Sequence, residues 1–160
     1  ALARRLNNKG ITVYCDVPLL GGVNDRDTVI HDLAYRIRKT GIEFHHLYVA
    51  GLPVQKQWNV VHPIDSHDVI DITTMVRREG SGREIPRYMI ATDLGEADYG
   101  LNTFFIREGD ILKVKLLCYD TDYYKGLDGT FSYPDEVQVE DNHPVVEVTG
   151  LIKAHDFPIS

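Results

Sequence analysis

Up to about residue 93, apolar positions alternate between two spacings. Residues 1–9 suit a helix, and Gly10 stands where a helix C-cap belongs. Residues 11–20 are rich in Val, Ile, Leu and Tyr and predict a strand. Gly21-Gly22-Val23-Asn24-Asp25 then predicts a turn. From about Asp27 to Thr40, the positions Val29, Ile30, Leu33 and Ile37 fall on one helical face, and Gly41 closes the segment. Residues 42–50 predict a second strand, and residues 51–63 a long loop holding the only tryptophan, Trp58. A third helix is expected from Ser66 as N-cap, with Val69, Ile70, Thr73, Met75 and Val76 as its apolar stripe. Arg77 and Arg78 suit its last turn, where cations complement the helix dipole, and Gly80-Ser81-Gly82 ends it. Residues 85–92 predict a third strand, with Pro86 near its start, where proline is tolerated.

Alternation of helix and strand predicts βα units around a parallel sheet. Three strands make a small parallel sheet, which hints at further strands upstream. The first residue is Ala and the first segment reads like the back of a helix, so the chain is expected to be a piece of something longer. Beyond Gly95 the pattern changes. Residues 103–107 and 111–119 predict a hairpin around Glu108-Gly109-Asp110, residues 120–143 lack a helical period, and residues 145–152 predict another strand. The chain therefore divides into βα units over residues 1–95 and a β-rich C-terminal extension over 96–160, without internal repeats.

Composition narrows the function classes. The 160 residues carry 17 Lys+Arg against 24 Asp+Glu, a net charge of −7, with no basic stripe. Nucleic acid and anionic membranes are thus not expected partners. No apolar window approaches the roughly 18 residues of a transmembrane helix, and the N-terminus lacks a signal-peptide core. Cys15 and Cys118 are too few and too far apart for a disulfide scaffold or a metal knuckle, and two free buried thiols fit a reducing cytoplasm.

Candidate chemistry is spread thinly. The 19–25 turn sits at the carboxyl end of a parallel strand, where α/β folds place ligands, and the plain alternative is that Asn24 or Asp25 caps the next helix. Asp93, Glu96 and Asp98 cluster after the third strand, as a carboxylate pair or an acidic turn. His62, His67 and Asp68 offer metal-ligand types on a loop entering a helix, against the alternative of solvated loop histidines. His45 and His46 are adjacent on a strand, so strict alternation sends them to opposite faces and denies them a shared metal. Cys15 has no cation in sequence to activate it. Tyr119, Tyr123, Tyr124 and Tyr133 crowd the extension, to pack its core or to form an oligomer interface. GxSxG, Walker and GxGxxG motifs are absent.

The order of motifs resembles the lysine 2,3-aminomutase family of radical S-adenosylmethionine enzymes. GITVYCDVPLLGGVND (10–25) is similar to the family's strand and turn GI…LLxGVND. HHLYVAGL (45–52) follows after a helix, and SGREIPRYMIATDLG (81–95) resembles its SG…VP… strand. The resemblance spans about residues 1–100, and its specific parts are the Gly-Val-Asn-Asp turn and the Ser-Gly-x3-Pro spacing. It implies an incomplete parallel βα barrel, a 4Fe–4S cluster on an upstream CxxxCxxC loop, S-adenosylmethionine as radical source and, in most members, pyridoxal phosphate. Here CxxxCxxC is absent, so no cofactor is expected to be held by this chain alone. Where members carry PGGGGK, whose lysine binds pyridoxal phosphate, residues 93–98 read DLGEAD, with Asp98 near the lysine position. That departure puts pyridoxal phosphate in question. Gly51 stands where lysine-specific members carry an aspartate, and the second such aspartate aligns near Ala91 or, shifted, at Asp93; this puts lysine in question as substrate.

The resemblance thus implies the C-terminal portion of an aminomutase-like enzyme acting on an amino-acid-like small molecule, inactive by itself. Asp16, Asn24 and Asp25 are its expected cofactor contacts, and Asp93 and Asp98 its expected substrate contacts. Neither a catalytic residue nor a metal ligand is assigned. An open sheet edge predicts a homo-oligomer. The alternatives are a degenerate binding or oligomerisation module and a metal-dependent hydrolase using His62, His67 and Asp68.

Overall fold

A computed structural model describes residues 2–109, 111–120, 122, 123, 126, 133 and 136–152. The chain is mixed α/β. Helix α1 (Leu2–Asn7) leads into strand β1 (Tyr14–Pro18), and α2 (Asp27–Lys39) connects it to β2 (Glu43–Ala50). A short helix α3 (Pro53–Trp58) and a two-residue strand β3 (Ile64–Asp65) precede α4 (Ser66–Glu79), which leads to β4 (Arg87–Thr92). β1, β2 and β4 pair in parallel in that order. The chain then turns at Asp93-Leu94, and β5 (Gly95–Asp98) runs back antiparallel along β4. The boundary expected at residue 95 falls inside this hairpin, which carries the first sheet on to Asp98.

The extension forms a second four-stranded sheet. Its strands are β6 (Thr103–Glu108), β7 (Ile111–Leu116), β8 (Gln138–Glu140) and β9 (His143–Glu147), in the order β6-β7-β9-β8 and antiparallel throughout. The last strand, β10 (Leu151–Ile152), pairs in parallel with β3 and ties the extension back to the segment before α4. No closed barrel is present among the described residues.

One continuous core joins the two parts. Ile30, Ala34 and Ile37 of α2 and Val69, Ile72 and Val76 of α4 are buried with Leu47, Val49 and Ile90 of the parallel sheet and with Leu112, Val114 and Leu116 of β7. Burying a side chain of this size contributes roughly 1.5–3 kcal/mol, so the helical stripes explain why α2 and α4 lie on the sheet. Their N-termini differ from expectation. Asp65, not Ser66, caps α4, its carboxylate accepting the His67 backbone N–H at 2.9 Å. The N-cap of α2 is Arg26, which makes no side-chain cap bond; Asn24 and Asp25 bond backward into the preceding turn.

The expected loop over residues 51–63 contains α3, and α3 closes the carboxyl ends of β1 and β2. Gln55 is fully buried. Its Nε2 donates to the carbonyls of Leu19 (2.9 Å) and Tyr48 (2.8 Å), and its Oε1 accepts the Leu52 N–H. Asn59, also fully buried, donates to Leu19 O and accepts from Gly21 N–H. The Trp58 indole donates to Gly21 O. Gly51 leads into this plug at φ 103°, and a Cβ there would overlap the Ala91 carbonyl of β4.

Two substitutions probe this plug. Gly51→Ala is expected to cost about 2–4 kcal/mol in urea unfolding, since it combines a left-handed backbone with overlap against a strand. Gln55→Leu keeps the volume and strands buried backbone groups, and is expected to cost about 1–3 kcal/mol in the same measurement.

Candidate functional site

The two faces of the parallel sheet differ in chemistry. Cys15 and Val17 of β1 and Leu47 and Val49 of β2 pack into the core with α2 and α4. Pleating sends Asp16, His46 and Tyr48 to the other face. That face carries a polar row. Asp16 Oδ1 lies 3.4 Å from Nδ1 of both His45 and His46. The two imidazoles overlap with ring centroids 3.7 Å apart, and His46 meets the Tyr48 ring edge to face at 5.7 Å. The Tyr48 hydroxyl donates to Glu96 Oε1 at 2.7 Å. Burial, reinforced by this bond and by the Glu96 charge, pushes the Tyr48 phenol up to about 12, so it stays a donor at neutral pH.

Placing both histidines beside Asp16 corrects the expectation that they diverge. The pairing of β1 with β2 slips by one residue: Cys15 opposes Phe44, whereas Asp16 opposes His46. His45 is the extra residue of a β-bulge, which breaks strict alternation locally. Phe44 and Leu47 therefore both face the core, and His45 and His46 both face Asp16. The ligand atoms of the three residues lie within 4.8 Å of one another.

His46 is the buried member. Its side chain is 10% exposed, against 42% for His45 and 50% for Asp16. Neither of its ring nitrogens has a hydrogen-bond partner, because the Asp16 contact lies outside hydrogen-bond geometry. Burial holds the imidazole below the usual histidine range. The His45 charge adds to that lowering and Arg87 adds a little more, while Asp16 and Glu96 oppose it.

The other expected site residues are placed as follows. Asn24 locks its own turn, accepting Leu20 N–H at 2.6 Å and donating to Pro18 O at 3.0 Å; Asp25 accepts Gly22 N–H at 2.7 Å. Asp93 and Asp98 are not brought together, because the β4–β5 hairpin puts them at opposite ends. Asp98 accepts a two-pronged pair of bonds from Arg87, Nε to Oδ1 at 3.0 Å and Nη2 to Oδ2 at 2.6 Å. Asp93, exposed, meets Lys56 at 3.1 Å beside a cleft that is also lined by Gly51, Ala91, Val145 and Thr149. His62 stacks on Trp58 at 4.8 Å, and His62, His67 and Asp68 do not form a ligand cluster among the described residues. Cys15 and Cys118 are free, and burial raises both thiols. Tyr119 donates to Glu96 O at 2.7 Å and Tyr133 to Tyr119 O at 3.2 Å; Tyr124 lies outside the described residues.

The buried, uncharged His46 makes stability depend on pH. Its folded pKa lies below the unfolded value of about 6.5, so the unfolded chain takes up the proton first on acidification. This part of the stability is complete above about pH 6.5 and declines as pH falls toward the folded value. Urea unfolding at about pH 7.5 and about pH 5 is expected to show that decline, and His46→Gln to flatten it. No protein-family model matches the chain, and no curated protein matches it either.

Proposed function

We propose that this chain supplies the closing βα units of an incomplete barrel in a lysine 2,3-aminomutase-like radical S-adenosylmethionine enzyme acting on an amino-acid-like small molecule. The observation that carries the reading is the two-faced parallel sheet. Parallel sheets are ordinarily covered on both sides, and here core packing with α2 and α4 involves one face while the other holds Asp16, His46, Tyr48 and Glu96. A polar inner face is what a half-barrel presents to cofactor and substrate. The Gly-Val-Asn-Asp turn at the carboxyl end of β1, held by its own side chains, is a rigid rim beside that face.

The residues present do not fit two of the implied groups. A 4Fe–4S cluster takes thiolate ligands, and the chain's two thiols are held protonated by burial, so the reading assigns the cluster to residues outside these 160. Pyridoxal phosphate would lack the family's lysine, since the position near it is Asp98, already committed to Arg87. Asp16 remains an exposed carboxylate on the polar face for cofactor contact, and Asp93 remains at a strand's carboxyl end for the substrate. Two free thiols fit a cytoplasmic location. No helix among the described residues is long and apolar enough to cross a membrane.

A second reading is a non-catalytic binding or oligomerisation module. β1 ends the parallel sheet with one edge unpaired among the described residues, and Tyr14 on it and Ile11 just before it are exposed. Such an edge can accept a strand from a second copy. The measurement that separates the readings is iron and acid-labile sulfide in the full gene product purified without oxygen. About four of each per chain is expected for the enzyme. None of either after reconstitution would overturn it in favour of the module. The 160 residues alone are expected to release no 5′-deoxyadenosine from S-adenosylmethionine.

A further inference from the structure

We propose that Asp16, His45 and His46 bind one divalent transition-metal ion, with zinc the best match. The proposal does not rest on the radical-enzyme reading, although it gives Asp16 a metal ion in place of the cofactor contact assigned there; it rests on three side chains and one bulge. Two imidazoles and a carboxylate form a donor set suited to zinc and its neighbours in the first transition row, and ill suited to magnesium or calcium, which take oxygen ligands.

Spacing supports the assignment. Zinc bonds to nitrogen and carboxylate oxygen are about 2.0–2.1 Å, so tetrahedral ligand atoms lie about 3.3 Å apart. Asp16 Oδ1 is 3.4 Å from Nδ1 of each histidine, giving two edges of such a tetrahedron without rearrangement. His45 is half-exposed on the bulge and has room to adjust the remaining edge.

The state of His46 is a separate observation. Its imidazole is nine-tenths buried with both ring nitrogens unpartnered. Buried polar atoms nearly always have a partner, and these orphaned ring nitrogens lie beside a second imidazole and a carboxylate, the company a bound cation takes. Asp16 brings a carboxylate to the two imidazoles, and a second carboxylate, Glu96, lies on the same face, bonded to Tyr48. Asp16 and His45 open to solvent, so an ion has an entry path and keeps a coordination position facing water.

The test uses the 160-residue chain stripped with a chelator. Zinc is titrated calorimetrically, and cobalt(II) serves as a coloured substitute whose visible bands report tetrahedral geometry. Expected are about one zinc per chain, tetrahedral cobalt bands, and a rise in melting temperature with zinc. Asp16→Asn and His45→Gln are each expected to weaken binding by more than about a hundredfold, beyond the loss usual for outer partners of a metal. Both residues are half-exposed, so these variants are expected to remain folded. A His62→Gln/His67→Gln variant is expected to bind as the parent does. Absence of zinc uptake, or uptake unchanged in Asp16→Asn and His45→Gln, overturns the proposal.

Discussion

The single extra residue between β1 and β2 governs much of what this sheet can do. Without it, residues 44–49 would alternate strictly, and either Phe44 or Leu47 would leave the core. With it, both stay inside, at 4% and 0% exposure, and two consecutive histidines turn to the same side. The apolar face determines where the slip must fall, and the polar face inherits the result. The local chemistry of the open side is thus a by-product of packing on the covered side, which is why a bulge here affects more than one strand.

A second constraint acts at the carboxyl end. The turn after β1 and the helix after β2 are fastened to each other by amide side chains from Gln55 and Asn59, both fully buried. These bonds satisfy strand-end carbonyls that a ligand-binding loop would leave to solvent or substrate. The rim is thereby stiff. Asn24 and Asp25 spend several of their polar atoms on its shape, whereas the polar face of the sheet keeps the two unpartnered ring nitrogens of His46.

The long elements could be read from the chain because their signal is periodic. The stripe Val29, Ile30, Leu33 and Ile37 specifies α2, and the β-rich strands around Glu108-Gly109 specify the β6–β7 hairpin. The helix α3 escaped that reading because it is six residues long and buries an amide instead of an apolar stripe; Pro53 at its first turn was the available signal. β5, Gly-Glu-Ala-Asp, has no strand-forming composition and exists because β4 offers it an edge. The scattering of Asp93 and Asp98 follows from the same hairpin. The His45–His46 pair was misplaced because alternation holds only while register holds, and register is a property of two strands, not one.

Glu96 has its two ends held by different parts of the molecule. Its carboxylate accepts from Tyr48 on the parallel sheet, and its carbonyl accepts from Tyr119 just beyond β7 of the extension. Gly95, beside it, has no Cβ, and one there would overlap the Tyr119 ring. A four-residue strand is therefore the mechanical joint between the open face and the extension. The phenol that holds the Glu96 carbonyl lies 23 positions downstream in the chain. The extension is thus joined to the polar face by a hydrogen bond at Glu96, in addition to the shared core and the β10–β3 pairing.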